Sequence, residues 1–273
     1  MFYDTSWVEA PPTPHNGVLA TVVLTPAESK RLIGRAIAAL PEVRKAKDSG
    51  RLIITRGSSS AYVVEELLGE SIPKNRFAAG IIYQGLLATV PREERMHPFV
   101  LKNGERLRVQ PEALLPEFEA EDVYIKSANA VDMQGNAGVL VASHVGGTIG
   151  LALSTLAARG CHLIIPVGLE KLVPSVVAAS MKMGTHRQRY TTGMSVGLIP
   201  VVTGKVVTEV QAFRVLAGVT AHHVASGGVG GSEGAVVMAL EGDEPSVDRA
   251  WELVQSIKGE PNVPGPSKVS LEL

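Results

Sequence analysis

The sequence predicts an α/β fold, with a Rossmann-like parallel sheet, flanking helices and a small α+β unit near the C-terminus. Between residues 50 and 175, short apolar runs alternate with amphipathic segments, and only a few residues separate them. Repeated strand–loop–helix units of this kind are typical of a parallel sheet with crossover connections. The chain is 45% hydrophobic but only 4% aromatic, so we expect an aliphatic core.

Hydrophobic periodicity and turn residues predict the elements in order. Thr25-Pro26-Ala27-Glu28 matches the capping box that begins a helix, and Pro41 is expected to interrupt that helix. Lys102-Asn103-Gly104-Glu105 indicates a hairpin. The predicted strands occupy residues 51–55, 122–126, 137–142, 162–167, 206–215, 219–225 and 235–240. The predicted helices occupy residues 25–47, 61–69, 149–159 and 245–258.

These elements divide the chain into four parts. Residues 1–24 are rich in proline and polar groups and are expected to form an arm, and residues 25–204 form the predicted α/β ligand-binding core. Residues 205–260 form the predicted α+β unit, in which GGVGGSEG links two strands as a hairpin loop. Residues 261–273 form a mostly extended tail. The arm and the tail favour pairing between subunits, so we expect a homo-oligomer.

Composition excludes several classes of partner and cofactor. A formal net charge of -1 argues against nucleic-acid binding, and no apolar window approaches the roughly 20 residues of a membrane span. The N-terminus does not match a signal peptide, so we expect a cytoplasmic protein. The single cysteine, Cys161, excludes an internal disulfide and a cysteine-based zinc cluster. Walker and nicotinamide fingerprints are absent, and we predict neither a cofactor nor a metal.

The segment RLIITRGSSSAYVVEELLG predicts an anion site. It places Gly57, Ser58, Ser59 and Ser60 between a buried strand and a helix. Backbone N–H groups, hydroxyls and the partial positive charge of a helix N-terminus together suit a phosphate or carboxylate. The alternative is that Ser60 only caps the helix and Gly57 only makes a turn.

A second stretch, KSANAVDMQGNAGVLVASHVGGTIGLALSTLAARGCHLIIPVG, begins at Lys126. With the Gly57–Ser60 loop, it resembles the superfamily of ribose-5-phosphate isomerase, glucosamine-6-phosphate deaminase and the CoA transferases. Methylthioribose-1-phosphate isomerase and the initiation-factor-2B-like proteins have a similar stretch. The next segment, residues 168–174, resembles a stretch near the end of the lactate-utilisation proteins of the same superfamily. The resemblance implies a ligand at the carboxyl ends of the strands. The ligand-binding residues expected on this stretch are Lys126, Asn129, Gly146, Gly147 and Thr148.

Candidate catalytic groups lie at strand ends in the same region. Asn129 stands where the isomerases have aspartate, and the nearest carboxylate follows at Asp132. Asp132 and Glu170 form a candidate acid–base pair, with Lys171 and His144 as further candidates. The alternative for Glu170 and Lys171 is a solvated helix start. A basic cluster around Arg187 is either an anion contact or a solvated loop.

These features predict a protein that binds a small phosphorylated or carboxylated metabolite, as an isomerase or a transferase. The alternative is a non-catalytic metabolite sensor or assembly subunit of the same fold, which Asn129 in place of a carboxylate favours. Adjacent residues His222 and His223 point to opposite faces of a strand, and therefore do not form a metal site together.

Overall fold

The structure is a computed structural model that describes residues 17–272, so residues 1–16 of the predicted arm lie outside the described residues. In chain order the strands are β1 (Val18–Leu24), β2 (Arg51–Ile54), β3 (Gly80–Tyr83), β4 (Leu86–Thr89), β5 (Phe99–Lys102), β6 (Glu105–Leu107), β7 (Val123–Ile125), β8 (Ala130–Val131), β9 (Ala137–Val141), β10 (His162–Pro166), β11 (Gly197–Val201), β12 (Lys205–Val207), β13 (Thr220–Gly227) and β14 (Ala235–Gly242). The α-helices are α1 (Pro26–Ala39), α2 (Pro41–Ser49), α3 (Ser58–Leu68), α4 (Pro111–Leu114), α5 (Gly147–Arg159), α6 (Val176–Ser180), α7 (Glu209–Ala217) and α8 (Glu244–Ile257).

A six-stranded mixed sheet lies at the centre of the fold, with the spatial order β12-β10-β7-β2-β5-β6. The first four strands of that order are parallel to one another. β5 and β6 are antiparallel, and their hairpin turns at Asn103 (φ 52°) and Gly104 (φ 81°). The predicted α/β class and the predicted hairpin are therefore confirmed. The sheet is mixed because this hairpin continues the sheet beyond β2.

Both faces of the central sheet are covered. Leu52 and Ile54 belong to one core with residues of α1, α3 and α7, whereas Ile53 belongs to a second core with residues of α5 and β9. All three side chains are fully buried. Successive residues of a strand point to opposite faces, so one short apolar run serves both cores. The continuous apolar pattern of residues 51–55 follows from this double burial.

A second, antiparallel sheet has the order β11-β9-β8. The strand predicted at residues 137–142 is confirmed as β9, but it does not belong to the parallel sheet. β8 and β9 are joined by residues 132–136 alone, a connection short enough only for antiparallel neighbours. This small sheet packs over the second core, next to the N-terminus of α5.

The third sheet, with the order β1-β14-β13, pairs the first strand of the described chain with its last two strands. Residues 18–24, which the sequence assigned to an arm, pair along their whole length with β14. β13 and β14 form the hairpin predicted around GGVGGSEG. Apolar residues of β1, β14, α1 and α8 share one core with the central sheet.

The strand predicted at residues 206–215 is wrong. Only residues 205–207 are extended, and α7 follows directly. Thr208 and Gln211 form a capping box, and Gly218 ends the helix with φ 78°. Val210, Phe213 and Ala217 are buried on one helical face, so the 3.6-residue period and the cap outweigh the β-branched composition of the segment.

Within residues 17–272, every helix is too short or too polar to cross a bilayer.

Candidate functional site

A cavity of about 550 Å³ lies at the carboxyl ends of the central parallel strands. Arg56, Gly57 and Ser58 line it after β2, residues 126–129 line it after β7, and Lys171 lines it after β10. The carboxyl ends of adjacent parallel strands meet at one edge of a sheet, which is where open α/β sheets bind ligands. Much of the predicted anion loop and of the second stretch therefore comes together around one space.

Four cationic side chains line this cavity, from Arg56, Arg95, Lys126 and Lys171. Among residues 17–272, no aspartate or glutamate lines it. Each of the four is partly buried, so solvent screens their mutual repulsion less than on an open surface. The arrangement gives the cavity a positive potential that suits an anion.

Two helix N-termini reach the same cavity. α3 begins after Gly57 and α5 begins after Gly146, and both N-cap residues are glycines without a side chain to cap the helix. Gly57, Ser58, Gly146, Gly147 and Thr148 all line the cavity, as the sequence predicted for the ligand-binding set. The first N–H groups of a helix have no intrahelical acceptor, so these two ends add donors and partial positive charge to the cavity.

Gly57 is required for close packing between the two loops. A Cβ atom at this position would lie 2.5 Å from Ser127 Oγ and 2.6 Å from Ser127 Cβ. The backbone N–H of Gly57 donates to the carbonyl oxygen of Phe77 at 2.8 Å. The glycine therefore allows the first turn of α3 to approach the residues that follow β7.

The serines of the loop have different environments. Ser58 is half-buried and lines the cavity, whereas Ser59 and Ser60 are fully buried outside its lining. The backbone N–H of Ser60 donates to Ser127 Oγ at 2.9 Å, and the two hydroxyl oxygens lie 2.8 Å apart. Ser60 therefore joins two loops of the fold, and Ser58 is the loop serine placed to contact a ligand.

Lys126 and Asn129 lie on the cavity wall as predicted. The Lys126 ammonium lies 3.5 Å from the carbonyl oxygen of Arg56, a long hydrogen bond. Burial, together with the charges of Arg56 and Lys171, lowers the pKa of Lys126 to about 8. The side-chain oxygen of Asn129 accepts the backbone N–H of Leu140 at 3.0 Å, which joins this loop to β9.

Glu170 lies beside the cavity within a cluster of charges. Its Oε1 is 3.4 Å from Lys171 Nζ and 3.6 Å from Lys30 Nζ. Burial favours a higher pKa for Glu170, but Lys171 and Lys30 outweigh it and lower that pKa. Glu170 does not line the cavity; it pairs with Lys171, which does.

Glu209 is a fully buried carboxyl group that the sequence did not single out. Its Oε2 accepts the backbone N–H of Leu169 at 3.0 Å, which fixes the loop just before Glu170. Burial, reinforced by the Glu170 carboxylate, raises the pKa of Glu209. The two carboxyl groups therefore have pKa values shifted in opposite directions.

Asp132 lies away from the cavity, in the turn between β8 and β9. Its carboxylate accepts backbone N–H groups from Gln134, Asn136 and Val176 at 2.9–3.0 Å, and the amide of Asn136 at 3.0 Å. Burial favours a higher pKa, but these hydrogen bonds outweigh it and lower the pKa of Asp132. A carboxylate held by four donors stabilises the turn and is a weak base, so its predicted partnership with Glu170 has no geometric support.

His144 and Arg187 lie outside the cavity lining as well. Both are exposed, His144 stacks against His186 with ring centroids 6.3 Å apart, and Arg187 donates to the carbonyl oxygen of Met181 at 2.8 Å. In the described part of the chain, no three His, Cys, Asp or Glu side chains are grouped to hold a metal ion.

The rest of the cavity wall is mostly apolar. It comes from the β3–β4 hairpin, from β9, and from residues 263–266 of the tail. The tail is held by Ser270, whose backbone pairs with that of Thr89 at 2.8 and 2.9 Å. Asn75 also donates to the carbonyl oxygen of Gly265 at 3.2 Å. A ligand with an anionic end and an apolar body therefore matches the two parts of the wall.

Sequence reasoning missed Arg56, Arg95 and Ser127 as parts of the site. Arg56 directly precedes the glycine of the predicted anion loop, which was a usable local signal. Arg95 lies in a charged, proline-containing region and reaches the cavity through tertiary packing. Its guanidinium donates a hydrogen bond to the Thr89 hydroxyl at 2.6 Å. No local pattern marks such a residue.

Comparisons of this chain with protein-family models, with curated proteins and with solved structures find no match.

Proposed function

We propose that this chain binds a small phosphorylated or carboxylated metabolite in the cavity at the carboxyl ends of β2, β7 and β10. The observation that carries the proposal is the lining itself: Arg56, Arg95, Lys126 and Lys171 without a carboxylate among them. Like charges gathered in a partly buried space destabilise the unliganded fold, and an anion relieves that repulsion. The N-termini of α3 and α5, which both begin after a glycine and reach the cavity, also favour an anionic ligand.

The apolar part of the cavity wall indicates the chemistry of the part of the ligand that is not anionic. Ile81, Leu87, Val139 and Met194 are among the side chains that face the cavity. A volume of about 550 Å³ suits a metabolite or a small cofactor fragment rather than a polymer. We therefore expect an anionic group joined to a compact organic body.

The chemistry that the sequence resemblance implies stays a prediction. An isomerase or transferase needs a group that reaches the ligand, and of the four candidate catalytic residues only Lys171 lines the cavity. The alternative of a non-catalytic sensor or assembly subunit also stays open to experiment. Membership of the resembled superfamily, a cytoplasmic location and a homo-oligomeric state are also predictions from the sequence.

A thermal-shift screen tests the proposal. The wild-type chain is heated with sugar phosphates, acyl-CoAs, nucleotides and small carboxylates in turn. A ligand present at about 100 times its dissociation constant adds roughly 2.7 kcal/mol to the free energy of unfolding, which is readily seen as a rise in Tm. We expect stabilisation by one anionic class and none by the uncharged analogue of its best member.

Two arginine variants locate the effect. Arg56→Met removes a cation from the cavity, and we expect the affinity to fall about 10- to 100-fold because a charged hydrogen bond is lost. Arg189→Met removes an exposed arginine outside the cavity lining and is the matched control. Equal affinity in the two variants, or no stabilisation by any anion, would contradict the proposal.

A further inference from the structure

Of the four cations that line the cavity, Lys126 makes the longest polar contact with the part of the chain that the structure describes. Lys171 Nζ lies 3.4 Å from a Glu170 oxygen, and Arg95 donates to the Thr89 hydroxyl at 2.6 Å. Arg56 donates to the carbonyl oxygen of Met96 at 3.2 Å. Lys126 reaches only the carbonyl oxygen of Arg56, at 3.5 Å, and forms no ion pair with a described carboxylate.

The backbone fixes the position of Lys126 at the carboxyl end of β7, a central strand of the sheet. It follows β7, and its N–H donates to the carbonyl oxygen of Ile164 in the neighbouring strand β10 at 3.0 Å. The residues on either side, Ile125 and Ser127, are buried. Lys126 is therefore attached to a hydrogen-bonded strand end beside the cavity. A reactive side chain in a preorganised site requires such a fixed position.

The charges that surround the amine are mainly positive. Arg56 comes from the loop after β2, and Lys171 from the segment after β10, where Glu170 pairs with it. Arg95, between β4 and β5, lines the same cavity. Tyr124 of β7 stays protonated, because burial raises its pKa. Burial and these charges lower the pKa of Lys126 to about 8, so a much larger fraction of this amine is neutral near pH 7.5 than of an exposed lysine.

We propose that Lys126 is a nucleophilic amine that forms an imine with a phosphorylated or carboxylated aldehyde or ketone bound in this cavity. The inference deepens the proposed function and rests on it, since it names the reactive group of the ligand. An uncharged amine in a desolvated site is the form that attacks a carbonyl carbon. Arginine keeps its proton at all ordinary pH values, so Arg56 and Arg95 hold the anion while Lys126 reacts.

The bond changes balance without a further reactant. The Nζ lone pair forms a bond to the carbonyl carbon, and the resulting carbinolamine loses its oxygen as water. That water carries away the two hydrogens of the neutral amine, and a C=N bond remains. No electrons are transferred, so the step needs no oxidant or reductant.

Reductive trapping with pyridoxal 5′-phosphate tests the inference, because this probe joins an aldehyde to a phosphate. The wild-type chain is incubated with the probe at pH 7.5, reduced with borohydride and mapped by peptide mass spectrometry. We expect one adduct for each chain, on Lys126, formed at least tenfold faster than on any exposed lysine. Inorganic phosphate should compete, and pyridoxal, which has no phosphate, should label more slowly.

Two variants complete the test. Lys126→Arg keeps the positive charge but cannot form an imine, so we expect labelling of the cavity to disappear while phosphate still raises the Tm. Lys182→Arg replaces an exposed lysine outside the cavity lining and should be labelled like the wild type. The map of the wild-type chain is decisive even if Lys126→Arg does not fold.

The possible failures are distinct. Phosphate that stabilises the wild type without an adduct on Lys126 overturns the imine and leaves anion binding intact. An adduct spread over exposed lysines, unaffected by phosphate, also overturns the imine. Neither stabilisation nor site-selective labelling by any anionic probe overturns the proposed function, and the imine with it.

Discussion

The Ser127 hydroxyl connects the loop after β7 to the first turn of α3 through Ser60. Its oxygen accepts the Ser60 backbone N–H at 2.9 Å and lies 2.8 Å from the Ser60 hydroxyl. Both side chains are buried. The two loops that carry Ser58 and Lys126 into the cavity are therefore held at a fixed separation by one buried hydroxyl.

Ser127→Ala should destabilise the fold by about 1 to 3 kcal/mol, because it leaves two buried polar groups of Ser60 unpaired. The measurement is the free energy of unfolding in urea. Ser58→Ala is the matched control, since Ser58 is half-buried on the cavity wall and its hydroxyl bonds no described residue. Ser58→Ala should leave stability within about 0.5 kcal/mol and weaken anion binding instead. Equal loss of stability in both variants would show that Ser127 has no special part.

Gly57→Ala should also destabilise the protein, through a clash rather than through a lost hydrogen bond. The new methyl group would meet Ser127 Oγ at 2.5 Å, and Ser127 is fixed by Ser60. We expect a loss of about 1 to 3 kcal/mol, the usual effect of adding an atom to a packed site. Gly227→Ala is the control, because a Cβ atom there has no neighbour within 4 Å. An unchanged Tm for Gly57→Ala would contradict the close approach of the two loops.

These two positions show which parts of the site the sequence made predictable. Gly57 and Ser58 follow a short apolar strand and precede an amphipathic helix, so their placement depends on local structure that periodicity indicates. Ser127 is 67 residues from Ser60, and its hydroxyl acts across that distance. Pairings of this kind depend on the order of strands in the sheet, which local patterns do not encode.

The prediction of a strand at residues 206–215 was wrong because two local signals in that segment disagree. Valines at 206, 207 and 210 favour a strand by composition, whereas Thr208 and Gln211 form the cap that begins α7. The capping pattern is present in the sequence, and in the structure it outweighs the β-branched composition of the segment. Similarly, Asp132 resembles a catalytic carboxylate in sequence, and only the structure shows its four hydrogen-bond donors.

Glu209→Gln should change how stability depends on pH. Because the pKa of Glu209 is raised in the folded state, the folded chain holds this proton more tightly than the unfolded chain does. The protonated Glu209 carboxyl therefore stabilises the fold at low pH. This stabilisation is lost as the pH rises from the pKa of an ordinary glutamate to the raised pKa of Glu209 in the folded chain. Glutamine mimics the protonated group and can still accept the N–H of Leu169.

We therefore expect the stability of Glu209→Gln to exceed that of the wild type by a margin that grows from pH 5 to pH 8. The difference should be on the order of 1 kcal/mol for each unit by which the pKa is raised. The measurement is the Tm of each protein from pH 5 to pH 8.5. Glu252→Gln, which replaces an exposed glutamate, is the control. A variant that is less stable than the wild type at pH 8 would contradict this expectation. It would show that the ionised Glu209 carboxylate stabilises the nearby ammonium group of Lys30.

The apolar wall predicts that affinity increases with the length of an alkyl chain on a phosphate. The anionic end of the ligand is placed at Arg56 and the N-termini of α3 and α5, so its body extends toward β9, the β3–β4 hairpin and the tail. Each buried methylene contributes about 0.8 kcal/mol, or roughly a fourfold gain in affinity. Methyl, ethyl, propyl and butyl phosphate, compared by calorimetric titration, give the slope.

Val139→Asp is the variant that tests the wall itself, because Val139 is buried and faces the cavity from β9. If the variant folds, a carboxylate at this position should abolish the gain from longer chains. Leu140→Ala, on the same strand, removes apolar surface without adding charge and should reduce the slope only in part. A wild-type affinity that is the same for methyl and butyl phosphate would mean that the ligand's body lies outside the apolar part of the cavity. The anion would then bind at the helix N-termini with its body directed toward solvent.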